Sequence, residues 1–210
     1  IADLVVQGRM DLARALGDAG ISLYPDTEDM LAMAALLAES RQDWTVAEEM
    51  LAKLLLKQGA DVNEVQGDGM TALHWAASRG NLAATRMLVS AGARLDPVTR
   101  NGNYTPLHLA SQNGRAEAVK ALLAAGANVN ATTSSGGASA LHFAASSGDA
   151  ATIDALVDKG ASVNVREAAF SQTPLMWAAS ANRLAALDML IKRGANLELA
   201  SKIEDISAKE

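Results

Sequence analysis

Thr71-Ala72-Leu73-His74, Thr105-Pro106-Leu107-His108, Ser139-Ala140-Leu141-His142 and Thr173-Pro174-Leu175-Met176 start at 71, 105, 139 and 173, so one block returns every 34 residues. A second marker keeps the same period: Gly-Ala falls at Gly59-Ala60, Gly92-Ala93, Gly126-Ala127, Gly160-Ala161 and Gly194-Ala195, in steps of 33, 34, 34 and 34. Two markers in phase at this spacing indicate a repeat array, in which each unit buries its apolar side against its neighbours.

Within a period the residue types specify a helix, a second helix and a projecting turn. Thr or Ser offers a side-chain oxygen to the free amides of a helix start, and Pro106 and Pro174 sit in the first turn, where a missing N–H removes no bond. Leu73, Ala76 and Ala77 share one side of that helix, as do Leu107 and Ala110, Leu141, Ala144 and Ala145, and Leu175, Ala178 and Ala179. Small residues there let helices approach closely. Gly80, Gly114 and Gly148 stop the first helix and Asn182 takes the same position in the last unit, since glycine and asparagine accept the left-handed turn. A second apolar helix runs to the glycine of Gly-Ala, and the Asn-, Asp-, Gly- and Ser-rich stretch after it reads as a turn.

The block resembles the ankyrin-repeat signature T-P-L-H-x-A, over about residues 47–197. The resemblance implies an all-α solenoid of stacked helix-turn-helix units with projecting β-hairpin loops. It also implies that Thr71, His74, Thr105, His108, Ser139, His142 and Thr173 are structural, each imidazole bonding the capping hydroxyl or nearby backbone. The expected units are 67–100, 101–134, 135–168 and 169–200. Ahead of them stand a partial unit over 1–25, where Gly8 and Gly20 repeat the glycine spacing, and an irregular, extended unit over 26–66. Residues 201–210 begin a further, incomplete element, and the native chain is expected to continue past Glu210.

Composition agrees and narrows the function. Half the residues are hydrophobic but only 3% are aromatic, so helix formers carry the apolar content. A net charge of −6 gives little counterion release on a nucleic acid, which argues against such a partner. The absence of cysteine excludes disulfides and thiolate metal sites. No apolar run is long enough for a membrane helix, so membrane insertion is not expected. Compartment stays open between cytoplasm and an exported location, because a leader ahead of Ile1 would not be visible.

The three histidines, one per stacked unit, lie about 10 Å apart, too far to share a metal at about 2.0–2.1 Å per bond. No nucleophile is paired with a base and no carboxylates converge, so neither catalysis, a cofactor nor a small-molecule substrate is expected. What remains is binding of a protein partner, identity unknown, across a concave face and its hairpin fingertips, as an accessory subunit of a larger assembly. The alternative is a regulatory or targeting portion of a longer polypeptide whose activity lies beyond residue 210.

The position after the histidine also steps by 34, as Trp75, Leu109, Phe143 and Trp177, and predicts an apolar ladder along the first helices that serves packing, partner contact or both. Variable fingertips at Gln66 to Met70, Thr99 to Tyr104, Thr133 to Ala138 and Arg166 to Gln172 suit recognition. The expected partner contacts are therefore Met70, Trp75, Arg79, Tyr104, Gln112, Phe143, Phe170 and Trp177, with Tyr104 and Phe170 projecting on turns. Glu48, Glu49, Glu117 and Asp188 are expected on the opposite, solvated side.

Overall fold

The computed structural model describes residues 59–199. Packing divides the chain into two units, Ile1–Val62 and Asn63–Glu210, and the described helices all belong to the second. The expectations for 1–25, for most of 26–66, for Glu48 and Glu49 and for 201–210 lie outside the described residues.

Eight helices are described, in pairs: α1 (Ala72–Arg79) with α2 (Leu82–Ser90), α3 (Pro106–Gln112) with α4 (Ala116–Ala125), α5 (Ala140–Ser147) with α6 (Ala150–Asp158), and α7 (Pro174–Ser180) with α8 (Leu184–Lys192). The first helices stack in the order α1, α3, α5, α7, and the second helices in the order α2, α4, α6, α8. The result is a two-layered, all-α stack.

Each first helix starts on an extended Thr or Ser, as at Thr105 (φ −86°, ψ 164°), whose Oγ1 accepts the His108 N–H at 3.3 Å. Its end is dictated by backbone geometry and by a neighbour. Gly80 has φ 75°, and a Cβ there would fall 2.8 Å from Cδ of Arg115; Gly148 has φ 88° and the same 2.8 Å conflict with Arg183. Both arginines lie across the preceding unit's turn, donating Nε–H to Ser78 O at 3.4 Å and Ser146 O at 3.0 Å. A side chain at either position would have to adopt a strained conformation and also displace the arginine lying over it. Asn182, at φ 54°, supplies the turn in the last unit.

The core is a pair of leucine columns. Leu73, Leu107 and Leu141 are buried between first helices, and Leu88, Leu122, Leu156 and Leu190 between second helices. Ala77, Ala110, Ala144 and Ala178 have no exposed surface, which is where small side chains let backbones close up. Each buried leucine contributes about 1.5–3 kcal/mol. Leu175 and Ala179 depart from the expected pattern: Leu175 is half-buried and Ala179 exposed. Among the described residues α7 is flanked in its layer by α5 alone, so the side that Leu141 and Ala145 turn to a following helix is uncovered.

Polar side chains tie the loops across units. Asn63 Oδ1 accepts the Arg94 N–H at 2.8 Å, Asp96 Oδ1 the Asn128 N–H at 3.1 Å and Asn164 Oδ1 the Asn196 N–H at 2.8 Å, while Asn130 Nδ2 donates to Gly160 O at 3.4 Å. Every loop is therefore bonded to the loop after it.

Stability in such an array is a sum of unit and nearest-neighbour terms, and the α7–α8 pair has a described neighbour on one side only. Amide hydrogen exchange is expected to be faster in Pro174–Ser180 and Leu184–Lys192 than in Pro106–Gln112. Equal protection in the two places would contradict this.

Candidate functional site

The three imidazoles hold the first helices and fingertips in register. Nδ1 of His74, His108 and His142 accepts the backbone N–H of Thr71 at 3.0 Å, Thr105 at 3.1 Å and Ser139 at 3.2 Å. An acceptor Nδ1 in a neutral ring leaves the proton on Nε2. Nε2–H then donates into the following loop: His74 to Tyr104 O at 3.0 Å, His108 to Ala131 O at 3.0 Å and His142 to Gln172 O at 3.1 Å. Each ring thus caps its own helix and anchors the loop that carries the next fingertip. Met176 offers only a sulfur, 3.5 Å from the Thr173 N–H, and lacks the second donor.

Burial lowers the pKa of all three histidines below the ordinary 6.5, and the carbonyls to which they donate pull the other way without outweighing it. Protonation would place a hydrogen on Nδ1, facing the amide hydrogen it now accepts.

The fingertips are short hairpin-like loops, each closed by a backbone bond between its ends: Gln66 N–H to Met70 O, Thr99 to Tyr104, Thr133 to Ala138 and Glu167 to Gln172, at 2.8, 3.1, 2.9 and 3.0 Å. These bonds close the four segments that sequence variability marks out. Adjacent tips are bonded too, Arg100 N–H to Asp68 O at 2.8 Å, Ser134 to Gly102 O at 3.0 Å and Ala168 to Gly136 O at 2.7 Å. The tips form one hydrogen-bonded row, preorganised before any partner arrives.

Glu167 is the site residue that sequence reading missed. It is 3% exposed and stands where Thr99 and Thr133 stand in the preceding tips. Its Oε2 accepts the Ala169 N–H at 2.6 Å and its Oε1 that of Gln172 at 2.9 Å, while the Phe170 N–H lies 2.9 and 3.1 Å from the two oxygens. One buried carboxylate therefore fixes the loop that carries Phe170. The signal in the sequence was its place in the period, where a charged residue replaces threonine.

The expected contacts fall into two groups. Phe170 is 63% exposed and Trp75 41%, with the Arg79 guanidinium 5.6 Å above the Trp75 ring. Arg79 and Gln112 are exposed and Met70 is half-buried at its tip. The others are taken up by packing. Phe143 is only 8% exposed, with its ring centroid 5.5 Å from Tyr104, 5.6 Å from Trp177 and 5.7 Å from His108. Tyr104, expected to project, is half-buried because it leans across onto Phe143 and His108. Trp177 is half-buried against His142 and Phe143. Aromatic neighbours one unit away outcompete solvent for these rings. Glu117 and Asp188 are exposed on second helices, Glu117 paired with Lys120 at 2.8 Å.

Among the described residues no group of three or more His, Asp or Glu side chains is placed to hold a metal, and no helix is long and apolar enough to cross a membrane. A family model described as ankyrin repeats (3 copies) matches residues 44–133 and again 131–201. No curated protein matches the chain.

A histidine whose folded pKa lies below its unfolded value stabilises the fold fully above pH 6.5, and that stability is lost as the pH falls below 6.5 towards the folded pKa, because the unfolded chain binds protons first. The melting temperature is expected to hold from pH 8 to 7 and to drop progressively below about pH 6.5; a flat profile down to pH 5 contradicts the buried, neutral imidazoles. Glu167→Ala leaves the Phe170 and Gln172 amides without their acceptor, the Ala169 N–H keeping Gly136 O at 3.3 Å, and is expected to destabilise by about 1–3 kcal/mol. Exchange at Phe170 and Gln172 should quicken while that near His108 does not, and Glu167→Thr, the residue of the preceding tips, should retain more protection than alanine.

Proposed function

The chain belongs to the ankyrin-repeat family, whose members are generally protein–protein interaction modules, and from that premise we propose that it binds a protein partner through the fingertip row and the exposed side of the first helices. No catalytic role is assigned to it. The observation that carries the reading is the exposure of Phe170 and Trp75 on a backbone that is otherwise tied down, Phe170 by Glu167 and Trp75 within a capped helix. Large aromatics held rigid at a surface lose little entropy on docking and are enriched among the residues that dominate binding. Arg79, Gln112 and Met70 extend the same surface, while Tyr104, Phe143 and Trp177 support it from beneath. The reading extends to a larger assembly, of which this chain is an accessory subunit.

The test uses a partner recovered by co-purification with the full chain and identified by mass spectrometry. Phe170→Ala and Trp75→Ala are each expected to weaken its binding by about 2 kcal/mol with a small change in melting temperature. Phe143→Ala should instead lower stability by about 3–5 kcal/mol, and Glu117→Ala on the second-helix side should leave affinity unchanged. If Glu117→Ala alone weakens binding, the assignment of the face is wrong.

A further inference from the structure

The described residues are electrically balanced, with eleven basic and eleven acidic side chains, but the two layers differ in how those charges are met. The first helices, their fingertips and the joints to the second helices carry Arg79, Arg100, Arg115, Arg166 and Arg183, all exposed. The acidic residues of that layer are Asp68, Asp149 and Glu167, and each has a carboxylate oxygen on backbone amides. Asp68 accepts the Met70 N–H at 2.9 Å, Asp149 caps α6 through the Thr152 N–H at 3.0 Å, and Glu167 is buried under its own tip.

Ion pairs are found on the other layer. Lys120 pairs with Glu117 along α4, and Arg193 pairs with Asp154 and Asp158 between α8 and α6. Three of the four carboxylates on that side are thus met by cations, with Arg86, Lys159 and Lys192 also exposed there, whereas among the described residues Arg100, Arg115, Arg166 and Arg183 of the first layer take part in no ion pair. Arg115 and Arg183 are held at the joints by their Nε–H bonds to Ser78 O and Ser146 O. Arg166 shares a fingertip with exposed Phe170, and Arg79 lies over exposed Trp75, so each exposed aromatic of this layer shares its tip or helix with an arginine.

Deepening the protein-binding reading, on which the inference rests, we propose that this face takes an acidic protein segment, one presenting Asp or Glu carboxylates beside apolar side chains. Guanidinium groups pair with carboxylates through fixed, forked donors, and the apolar positions of the same segment cover Phe170 and Trp75. A surface on which arginines outnumber carboxylates also steers an oppositely charged partner and disfavours a like-charged one. Nucleic acid fits less well, because the five arginines are dispersed over four units in a chain of net charge −6 and do not form a continuous phosphate-tracking stripe.

Four tips about 10 Å apart span roughly 30 Å, which an extended segment of about ten residues reaches at 3.3–3.6 Å per residue. The probes are three such peptides with Leu and Phe at shared positions and Glu, Gln or Lys at the others, together with a single-stranded oligothymidine. Each is titrated into the isotopically labelled full chain and followed by amide and arginine Nε resonances. The Glu peptide is expected to shift Arg100, Arg166, Trp75 and Phe170, to bind at least about tenfold more tightly than the Gln peptide, and to weaken strongly between about 50 and 500 mM salt. The Lys peptide should not bind. Arg100→Glu with Arg166→Glu should reduce affinity for the Glu peptide about tenfold at unchanged melting temperature, and Arg86→Glu on α2 should not.

Equal binding of the Gln and Glu peptides at these residues overturns the acidic partner while leaving the binding face in place. Shifts confined to α2, α4, α6 and α8 overturn both. Failure of the Glu peptide to shift any resonance at millimolar concentration, or tighter binding of the oligothymidine, overturns the acidic protein segment.

Discussion

The buried imidazoles of His74, His108 and His142 are the constraint on which the rest of the structure depends. Each ring satisfies a helix-start amide with one nitrogen and a carbonyl of the next loop with the other. Neither bond can be given up cheaply, because an unpaired polar group without solvent costs about 1–3 kcal/mol. The spacing between a first helix and the following fingertip is therefore set by the width of one aromatic ring. The leucine columns supply more energy but are tolerant in direction; the histidines fix direction.

That fixed register is what turns the loops into a surface. Loops with no internal core are usually the mobile part of a protein, yet here the second, third and fourth tips are each bonded to the tip before, and their loops are anchored from below by a histidine. Three side chains whose sequence positions offered them to a partner, Tyr104, Phe143 and Trp177, are drawn into the aromatic cluster under the tips. The exposed groups left above it are Phe170, Trp75 and a set of arginines. In the last tip the anchor is strengthened by Glu167, which accepts three amides where threonine accepts one.

The repeat, its caps and its terminating glycines were legible in the sequence because each is a local requirement. A Thr or Ser at a helix start, a proline in the first turn and a glycine at φ 75° or 88° are readable from residue type and spacing. The contacts between units were less legible. Nothing in the type of Tyr104 says that Phe143, 39 positions on, will cover it. The same holds for Arg115 and Arg183 lying over Gly80 and Gly148. Some of this was recoverable: Asn63, Asp96, Asn130 and Asn164 keep the period, at steps of 33, 34 and 34, and a polar residue that recurs in phase inside a loop is a candidate tie. Phe170 was placed on an exposed turn by its position alone, whereas the carboxylate that holds it there was not foreseen, since Glu167 breaks the residue type of its column.

The protonation state of those rings decides whether the units are tied together in this way. Nitrogen chemical shifts and one-bond couplings of the full chain with labelled histidine, recorded near pH 7, report which ring nitrogen carries the proton. Three neutral rings protonated at Nε2, with Nε2–H protected from exchange, are the expected result. A proton on Nδ1, or rings that interconvert freely between tautomers, would mean that the helix caps and fingertip anchors are not joined through histidine.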